Sequence, residues 1–397
     1  MSNIKIFTEN IEPEALNQVY TLIKQPAFAD CKVRIMPDVH AGKGCVIGFT
    51  ADLGDKVIPN IVGVDIGCGM LTAEIGQRDI DFEKLDKVIR ENIPSGRNVR
   101  DSEVNFQDIE RLRCKDLLKN VSWLKRSLGT LGGGNHFIEV DEDSGGVKYL
   151  IVHTGSRNLG KQIAEIYQQI AVESMQGVPG LKEDMELLIE EYKRDRRQKD
   201  IQKALDELKR KWKPDKLNIP KELCYLTGND RCDYLHDMKI CQEFAAKNRQ
   251  MIMTTIFSKM GWQVGDELFQ TIHNYIDHNT NIVRKGAISA GLGEKLLIPI
   301  NMRDGCIIGI GKGNDDWNQS APHGAGRIMS RSKAKETVSL EEFQHSMEGI
   351  YTTSVNASTL VESPMVYKPM EEIVENIADT VEILKIIKPI YNFKAAE

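Results

Sequence analysis

Short apolar runs with β-strand character limit the folds that this chain can adopt. Three of them follow one another closely, at residues 45–49, 56–64 and 70–75, before a helical pattern begins at Asp81. Regular alternation of single strands with helices would indicate a parallel sheet, whereas bunched strands followed by helices are typical of the α+β class. The sequence therefore predicts an α+β fold with a mixed β-sheet core flanked by helices.

The rest of the chain extends this prediction. Further strands are predicted at residues 31–36, 137–140, 147–152, 281–290, 296–300 and 306–310, and helices at residues 13–24, 81–92, 230–260 and 371–388. The segment 36–44, which follows the first of these strands, is predicted to be a loop. Residues 141–146 are rich in Asp and Gly and predict a hairpin connection between two strands.

One segment has a different composition from its surroundings. Residues 181–212 are dense in charged side chains but keep a helical apolar spacing at Leu187, Leu188 and Tyr192. This pattern predicts a charged surface helix or a helical hairpin. With 397 residues and 41% hydrophobic content, the chain can bury a large core. We therefore predict a single domain over residues 1–397 with a helical insertion at about residues 178–222.

The charge balance restricts how the chain can contact nucleic acid. A net charge of −6 excludes binding through overall charge and requires a local basic patch. Such a patch follows His323, where Arg327, Arg331 and Lys335 recur at four-residue intervals with Lys333 between them. On a helix the three would share one face. A solvated helix face without a ligand is the alternative interpretation.

Cysteine usage and the lack of targeting patterns indicate the compartment. The eight cysteines contain no C-x-x-C pair, which argues against a zinc ribbon or a disulfide framework and favours a reducing environment. The first residues show no secretory signal pattern. No apolar run approaches the roughly 20 residues of a membrane helix. We therefore expect a cytoplasmic protein that is not bound to a membrane.

The apolar run at residues 61–70 breaks into glycines around one carboxylate, Asp65, and one thiol, Cys68. A run of this kind predicts a buried strand whose backbone turns sharply at the break. Carboxylate oxygen together with thiolate sulfur favours a transition metal over calcium or magnesium, because sulfur is a soft ligand. The alternative is a buried cysteine in a glycine-rich turn with a helix-capping aspartate.

Three histidines favour the metal interpretation. His136, His153 and His273 each stand beside a glycine or polar residue at the end of an apolar run. Together with Asp65 and Cys68 they form a set of five candidate ligands. Two metals that share one thiolate would need about that many protein groups and would keep open positions for a substrate. Ligand softness alone favours zinc at such a site.

Other histidines carry weaker signals. His323 opens a glycine-rich turn before the predicted basic helix, and a helix N-terminus is an anion site, so His323 is placed to meet a phosphate. His40 and Asp38 are expected at most to support metal ligands. Cys232 and His236 fall one helical turn apart, but no third ligand lies nearby in the sequence, which favours ordinary packing roles.

Taken together, these segments resemble the RtcB family of GTP-dependent RNA ligases over essentially the whole chain. The matching motifs occur in the family's order and are MPDVH at 36–40, GVDIGCGM at 63–70, GNHF at 134–137, HTGSR at 153–157, HNY at 273–275, RKGA at 284–287 and HGAGRIMSR at 323–331. Several motifs in register make a specific signal. The resemblance implies the fold of that family.

The resemblance also implies roles for single residues. Cys68 would bridge two manganese ions, with Asp65 and His136 in one coordination sphere and His153 and His273 in the other, and zinc or cobalt are alternatives. His323 would be the nucleophile that takes GMP from GTP. The residues implied at the nucleotide are Asn135, Glu139, Asn274, Tyr367 and Lys394, and Arg157 is implied at a phosphate. Arg327 and Arg331, from the basic patch, are further candidates for contact with phosphate or RNA.

The family joins an RNA 3′-phosphate or 2′,3′-cyclic phosphate to a 5′-hydroxyl, in RNA splicing or repair. Its implied partners are GTP, tRNA or other RNA with broken ends, and an archease-like activator. The chain departs from the family at residues 299–304, PINMRD, where many members carry PGSM, and this affects the predicted guanine pocket. The alternatives are a metal-dependent phosphodiesterase or phosphatase acting on RNA ends, and an RNA-binding protein with a structural metal.

Overall fold

A computed structural model describes residues 3–42 and 44–395. The α-helices are α1 (Pro13–Ile23), α2 (Pro59–Val62), α3 (Phe82–Asn92), α4 (Val121–Arg126), α5 (Arg157–Met175), α6 (Val178–Arg194), α7 (Ile201–Lys211), α8 (Gly228–Met260), α9 (Arg331–Thr337), α10 (Leu340–Ser346) and α11 (Met370–Asn376). The strands are β1 (Asn3–Ile6), β2 (Lys32–His40), β3 (Ile47–Asp52), β4 (Gly69–Gly76), β5 (Phe137–Glu142), β6 (Lys148–Thr154), β7 (Leu268–Ile272), β8 (Tyr275–Ile276), β9 (Ile282–Lys285), β10 (Ala287–Ser289), β11 (Lys295–Asn301), β12 (Gly305–Gly311), β13 (Ser320–Pro322), β14 (Tyr351–Thr352) and β15 (Val381–Lys394).

The largest sheet runs in the order β11-β12-β15-β5-β6-β4-β7, and the short β14 also pairs with β15. Its long ladders are antiparallel, and β14 pairs with β15 in parallel. The two end strands come together where the backbone N–H of Leu297 on β11 donates to the Thr271 hydroxyl on β7, at 3.0 Å. The sheet is therefore nearly closed, and side chains such as Met70, Phe137 and Ile308 fill its interior.

A second sheet, β1-β2-β3-β9-β8, lies beside the pair β10-β13. The predicted single strand over 281–290 is wrong, because Gly286 separates β9 from β10 with a φ of 56°. Its backbone N–H donates to the side chain of Asn274 at 2.8 Å. The parallel pairing of β1 with β2 and the antiparallel pairing of β2 with β3 make this sheet mixed, so the α+β prediction is confirmed.

The long helix α8 supports the back of the large sheet and lies against α5, α3 and β6. It confirms the helix predicted at 230–260. Its Asn248 and Arg249 are buried polar residues that bond to backbone carbonyls around the candidate site. The charged segment forms the two helices α6 and α7. That this segment is an insertion into a single domain stays a prediction.

Two local predictions are wrong because glycines and proline set the backbone. The predicted strand at 56–64 is instead the short helix α2, which begins at Pro59, a residue whose fixed φ suits the first helical turn. The chain then turns through Gly63 and Gly67, whose φ values of 88° and 68° lie in the left-handed region. The apolar run therefore becomes a strand only at Gly69.

The predicted loop after residue 36 and the predicted C-terminal helix are also wrong. β2 continues to His40, so Asp38 lies within a strand and is fully buried. The helix predicted at 371–388 ends at Asn376, and Val381 begins the longest strand, β15. The isoleucines of this segment are β-branched and suit a strand, and pairing with both β12 and β5 satisfies its backbone.

No helix in the described ranges is both long enough and apolar enough to span a membrane. All eight cysteines have free thiols, and only Cys232 is exposed.

Candidate active site

A cavity of about 660 Å³ gathers most of the residues singled out from the sequence. The predicted residues that line it are Asp65, Cys68, Asn135, Glu139, His153, His273, Asn274, His323, Arg327, Arg331, Tyr367 and Lys394. They come from positions spread over the whole chain. His136 and Arg157 are the predicted site residues that do not line it.

The turn before β4 places Asp65 and Cys68. The backbone N–H of Cys68 donates to the carbonyl of Asp65 at 3.2 Å, and that of Gly67 donates to the carbonyl of Asn274 at 3.0 Å. The Asp65 carboxylate accepts the N–H of Ser156 at 3.2 Å. A Cβ at Gly155 would collide with this carboxylate. Because residue 155 is glycine, the Asp65 carboxylate can occupy this position.

Three histidines meet Cys68 at the ends of β5, β6 and β7. The Cys68 Sγ lies 3.4 Å from His136 Nε2 and 3.3 Å from His153 Nε2, and His136 Nε2 lies 3.0 Å from an Asp65 oxygen. Two groups of donors result, Asp65 with Cys68 and His136, and Cys68 with His153 and His273. Within each group the ligand atoms lie within 4.8 Å of one another. The two groups share the thiol.

Backbone carbonyls orient two of these rings. His136 Nδ1 donates to the carbonyl of Leu131 at 2.9 Å, and His153 Nδ1 donates to that of Asn135 at 3.2 Å. These bonds fix a proton on each Nδ1. At His153 this leaves the Nε2 lone pair directed at the thiol, whereas Nε2 of His136 also contacts the Asp65 carboxylate. The Nδ1 of His273 is buried without a hydrogen-bond partner in the described chain. These are the features of imidazoles prepared to bind a metal.

The electrostatics favour cation binding. Burial lowers the pKa of both His153 and His273 well below the usual value, so both rings are neutral. Burial alone would raise the pKa of Asp65, but hydrogen bonds from His136 and Cys68 lower it to about 2. Burial and the charge on Asp65 raise the pKa of the Cys68 thiol well above its usual range. A bound cation would displace that proton, and the donor set fits a pair of transition-metal ions.

His323 lies beside these donors. Its Nδ1–H donates to Asp38 Oδ2 at 2.6 Å, and its backbone N–H donates to the same oxygen at 3.1 Å. The unprotonated nitrogen is therefore Nε2. The ring centroids of His323 and His273 are 4.8 Å apart. From the sequence, Asp38 was expected at most to support metal ligands. In the structure this carboxylate, the only one in the motif at 36–40, holds the ring of His323.

The predicted helix around His323 is wrong. His323 follows β13, and α9 begins only at Arg331, so no helix N-terminus lies at His323. Arg327 lies in an extended segment bridged to Tyr367. Arg327, Arg331 and Lys335 therefore do not share a helix face. The glycines at 324 and 326 allow close approach, since a Cβ at Gly326 would collide with the backbone of Asp38.

The other end of the cavity, here called the Lys394 end, is formed by Glu139, Glu362, Tyr367, Asn392 and Lys394. Phe137 lies between the two ends, with its ring 5.1 Å from that of His153 and 5.7 Å from Lys394 Nζ. Lys394 Nζ lies 3.2 Å from Glu362, and the Tyr367 hydroxyl donates to the same oxygen at 2.5 Å. Lys394 is buried on β15 and is not a frayed terminal cation.

Glu362 and Asn392 were not found from the sequence, because each lies outside the motifs. The Glu362 carboxylate forms ion pairs with two arginines, Arg327 at 3.6 Å and Arg331 at 3.5 Å. Burial would raise the pKa of Glu362, but Lys394, Tyr367 and the two arginines lower it to about 2. The carboxylate therefore stays charged at the centre of a basic group.

Two predicted residues have structural contacts. Asn274 adopts a φ of 61°, and its amide donates to the carbonyl of Asp65 at 3.4 Å. Arg157 donates to the carbonyl of Gly96 at 2.9 Å and to the Thr130 hydroxyl at 3.2 Å. The predicted contacts of both residues with nucleotide or phosphate stay predictions.

Cys232 and His236, which lie on α8, belong to no group of three potential ligands among the residues that the structure describes. Cys232 is exposed, and His236 contacts the neighbouring Asp237 carboxylate at 3.0 Å.

Comparison with known proteins gives one consistent result. The family model described as "tRNA-splicing ligase RtcB" matches residues 18–124 and 113–395. The chain is 28% identical to the RNA-splicing ligase RtcB of Escherichia coli strain K12, over 98% of this chain and 96% of that protein. It is 28% identical to the tRNA-splicing ligase RtcB of Aeropyrum pernix, over 89% and 85% of the two chains. The corresponding protein of Archaeoglobus fulgidus is 25% identical, over 92% and 87%.

Proposed function

This chain belongs to the RtcB family of tRNA-splicing ligases, and from that membership we propose that it is an RNA ligase that joins RNA 3′-phosphate or 2′,3′-cyclic phosphate ends to 5′-hydroxyl ends. GTP supplies the activating group. The substrate is tRNA or another RNA with broken ends, in splicing or in repair.

The observation that carries this proposal is the placement of His323. Its Nδ1 is held by the buried Asp38, and its ring contacts the ring of His273 in the second donor group. A neutral imidazole whose far nitrogen is hydrogen-bonded to a carboxylate is a nucleophile in the correct tautomer. A hydrolase that only binds phosphate has no need of this arrangement.

In the first step, His323 Nε2 attacks the α-phosphorus of GTP and the bond to pyrophosphate breaks. Asp38 keeps the Nδ1 proton in place and stabilises the charge that develops on the ring. An oxygen of the RNA 3′-phosphate then attacks the same phosphorus, and His323 leaves as a neutral imidazole. Finally the 5′-hydroxyl attacks the RNA 3′-phosphorus, its proton is lost to solvent, the new phosphodiester bond forms and GMP departs. An end that carries a 2′,3′-cyclic phosphate must first be opened by water to the 3′-phosphate.

The residues that would hold two manganese ions are the two donor groups that share Cys68. When bound, the ions neutralise the triphosphate and favour in-line displacement. Zinc and cobalt also suit a site with sulfur and nitrogen ligands. Asn135, Glu139, Asn274, Tyr367 and Lys394 are proposed to contact the nucleotide, and Arg157, Arg327 and Arg331 to contact phosphate or RNA.

Guanylylation is the test of this function. Protein incubated with α-labelled GTP and manganese should acquire label in an acid-labile, alkali-stable bond, as expected for a phosphoramidate. His323→Ala should remove the label. His345→Ala, at a histidine whose side chain is 80% exposed on α10, is the matched control and should label normally.

A second substrate separates the ligase from a hydrolase. His323→Ala should still join RNA that already carries a 3′-guanylate cap to a 5′-hydroxyl end, since the covalent step is bypassed. Wild-type protein that never acquires label but removes phosphate from RNA ends would support a phosphodiesterase instead. Adding an archease-like activator should raise the labelling rate if such a partner is used.

A further inference from the structure

Behind Glu139, at the Lys394 end, lie two buried residues that the proposed chemistry does not use. They are Asp141 on β5 and Cys306 on β12, and both are fully buried. One oxygen or sulfur atom of each of the three residues lies within 4.8 Å of the others. Of the three, only Glu139 lines the cavity. Asp141 can therefore reach a bound nucleotide only through Glu139.

Asp141 has no ordinary hydrogen-bond donor. Neither of its carboxylate oxygens has a partner among the described residues. Glu139 is better supplied, since the Asn392 amide donates to one oxygen and the Cys306 thiol lies 3.8 Å from the other. Two buried carboxylates this close cannot both carry a full charge. A proton held between Glu139 and Asp141 satisfies one of the two orphaned Asp141 oxygens.

Few polar or charged groups face the pair. Those that face it are Cys306 from β12 and Asn392 and Lys394 from β15. From β6, Tyr149 is paired with Asp141 in register, but its hydroxyl is engaged by Lys385 at 2.8 Å. Among the residues that the structure describes, Lys394 is the cation that acts on Glu139, and Glu362 shares it. One cation stabilises one negative charge on the pair and leaves the second carboxyl protonated.

We propose that Asp141 is a specificity-determining residue of the nucleotide site, which keeps one proton between itself and Glu139 and thereby keeps Glu139 a hydrogen-bond acceptor for a guanine base. This inference rests on the proposed use of GTP. The Watson–Crick edge of guanine presents N1–H and N2–H donors, whereas adenine presents an acceptor at N1. An ionised Glu139 therefore accepts from guanine, and a protonated Glu139 suits adenine.

Burial of the pair also predicts the pH range in which the nucleotide preference changes. Burial raises the pKa of Glu139 to about 7, although Asp141, Asn392 and Lys394 oppose this rise. Burial and the neighbouring charge of Glu139 raise the pKa of Asp141 well above its usual value. Above pH 7 the pair holds one proton and Glu139 accepts. Below pH 7 it takes up a second proton, and the preference for guanine is lost.

The measurement is the ratio of dissociation constants for ATP and GTP between pH 6 and pH 8.5. Manganese-loaded His323→Ala protein is used, because it binds nucleotide without covalent transfer. Both ligands carry the same triphosphate, so titration of the phosphates and of the metal ligands cancels in the ratio. The ratio should fall by roughly tenfold per pH unit below the pKa of Glu139.

Two substitutions, made in the same background, separate proton sharing from packing. Asp141→Asn still donates to Glu139 and should keep the wild-type profile. Asp141→Leu fits the apolar interior but donates nothing, so the midpoint should move up by about one pH unit. Equal changes for ATP and GTP at every pH in both variants would overturn the proposal and leave Asp141 a packing residue.

Three other results would separate failure of this inference from failure of the proposed function. A ratio that is independent of pH in the wild-type sequence would overturn the inference and leave the proposed function intact. Failure of GTP to bind at any pH would instead count against the proposed function. A third equivalent of metal that is lost in Asp141→Asn would overturn the inference by assigning the three buried groups to a cation.

Discussion

Replacing Asp38 by Asn should slow the transfer of GMP to His323 by about two to four orders of magnitude. One carboxylate oxygen accepts both the ring Nδ1–H, at 2.6 Å, and the backbone N–H of His323, at 3.1 Å. Hydrogen bonds to a charged group contribute about 1.5–3 kcal/mol each, so two of them correspond to about 3–6 kcal/mol of barrier. An amide NH₂ that faces the ring would also favour the tautomer with its proton on Nε2, which cannot attack.

The assay is single-turnover labelling with α-labelled GTP and manganese. Bound metal should change little, and sealing of RNA with a 3′-guanylate cap should be kept. Asp206→Asn, at an exposed carboxylate on α7, is the matched control and should label at the wild-type rate. Labelling of Asp38→Asn within about threefold of wild type, with metal content unchanged, would refute the claim that Asp38 sets the reactive tautomer.

Three further predictions follow from the same geometry. Cys68→Ala removes the thiol shared by both donor groups and should lose most bound metal by elemental analysis and all ligation, with the far-ultraviolet circular dichroism retained; full metal content would exclude Cys68 from the site. Lys394→Met should weaken GTP binding by about tenfold to a hundredfold in calorimetry. It is a cleaner test than deleting residues 393–397, because Phe393 is buried in the core. An unchanged dissociation constant would place Lys394 outside the nucleotide site. Glu362 has its pKa lowered to about 2. Its contribution to the free energy of unfolding, at most about 3 kcal/mol, is therefore present above pH 4.5 and lost as the pH falls toward 2. Denaturant unfolding should show this loss in wild type and not in Glu362→Gln.

The candidate ligands could be predicted because each one is marked locally. Cys68, His136 and His153 stand at points where an apolar run meets glycine or a polar residue, and such breaks survive in the fold as strand ends. Asp38 and Glu362 could not be identified in this way. Their importance depends on His323 and Lys394, which are distant in sequence, and no local pattern records such a pairing.

Secondary structure was predictable where local preference and tertiary environment agree. The helix α8 and the strand β4 are examples, since their patterns are long or bounded by glycine. The segment now known to be β15 has apolar residues that also fit a helical spacing. Its strand form is decided by β12 and β5 on either side. Near closure of the large sheet likewise depends on a contact between β11 and β7 that no short stretch of sequence encodes.

The position of β15 also sets an order of assembly during synthesis. The five metal-type donors all lie between residues 65 and 273, and His323 follows soon after, whereas Asn392 and Lys394 arrive with β15. A nascent chain therefore contains every candidate metal ligand before the residues that complete the Lys394 end have been synthesised. A chain truncated before Val381 would retain all five candidate metal ligands in its sequence, but it would lack Asn392, Lys394 and the strand that lies between β12 and β5 in the large sheet.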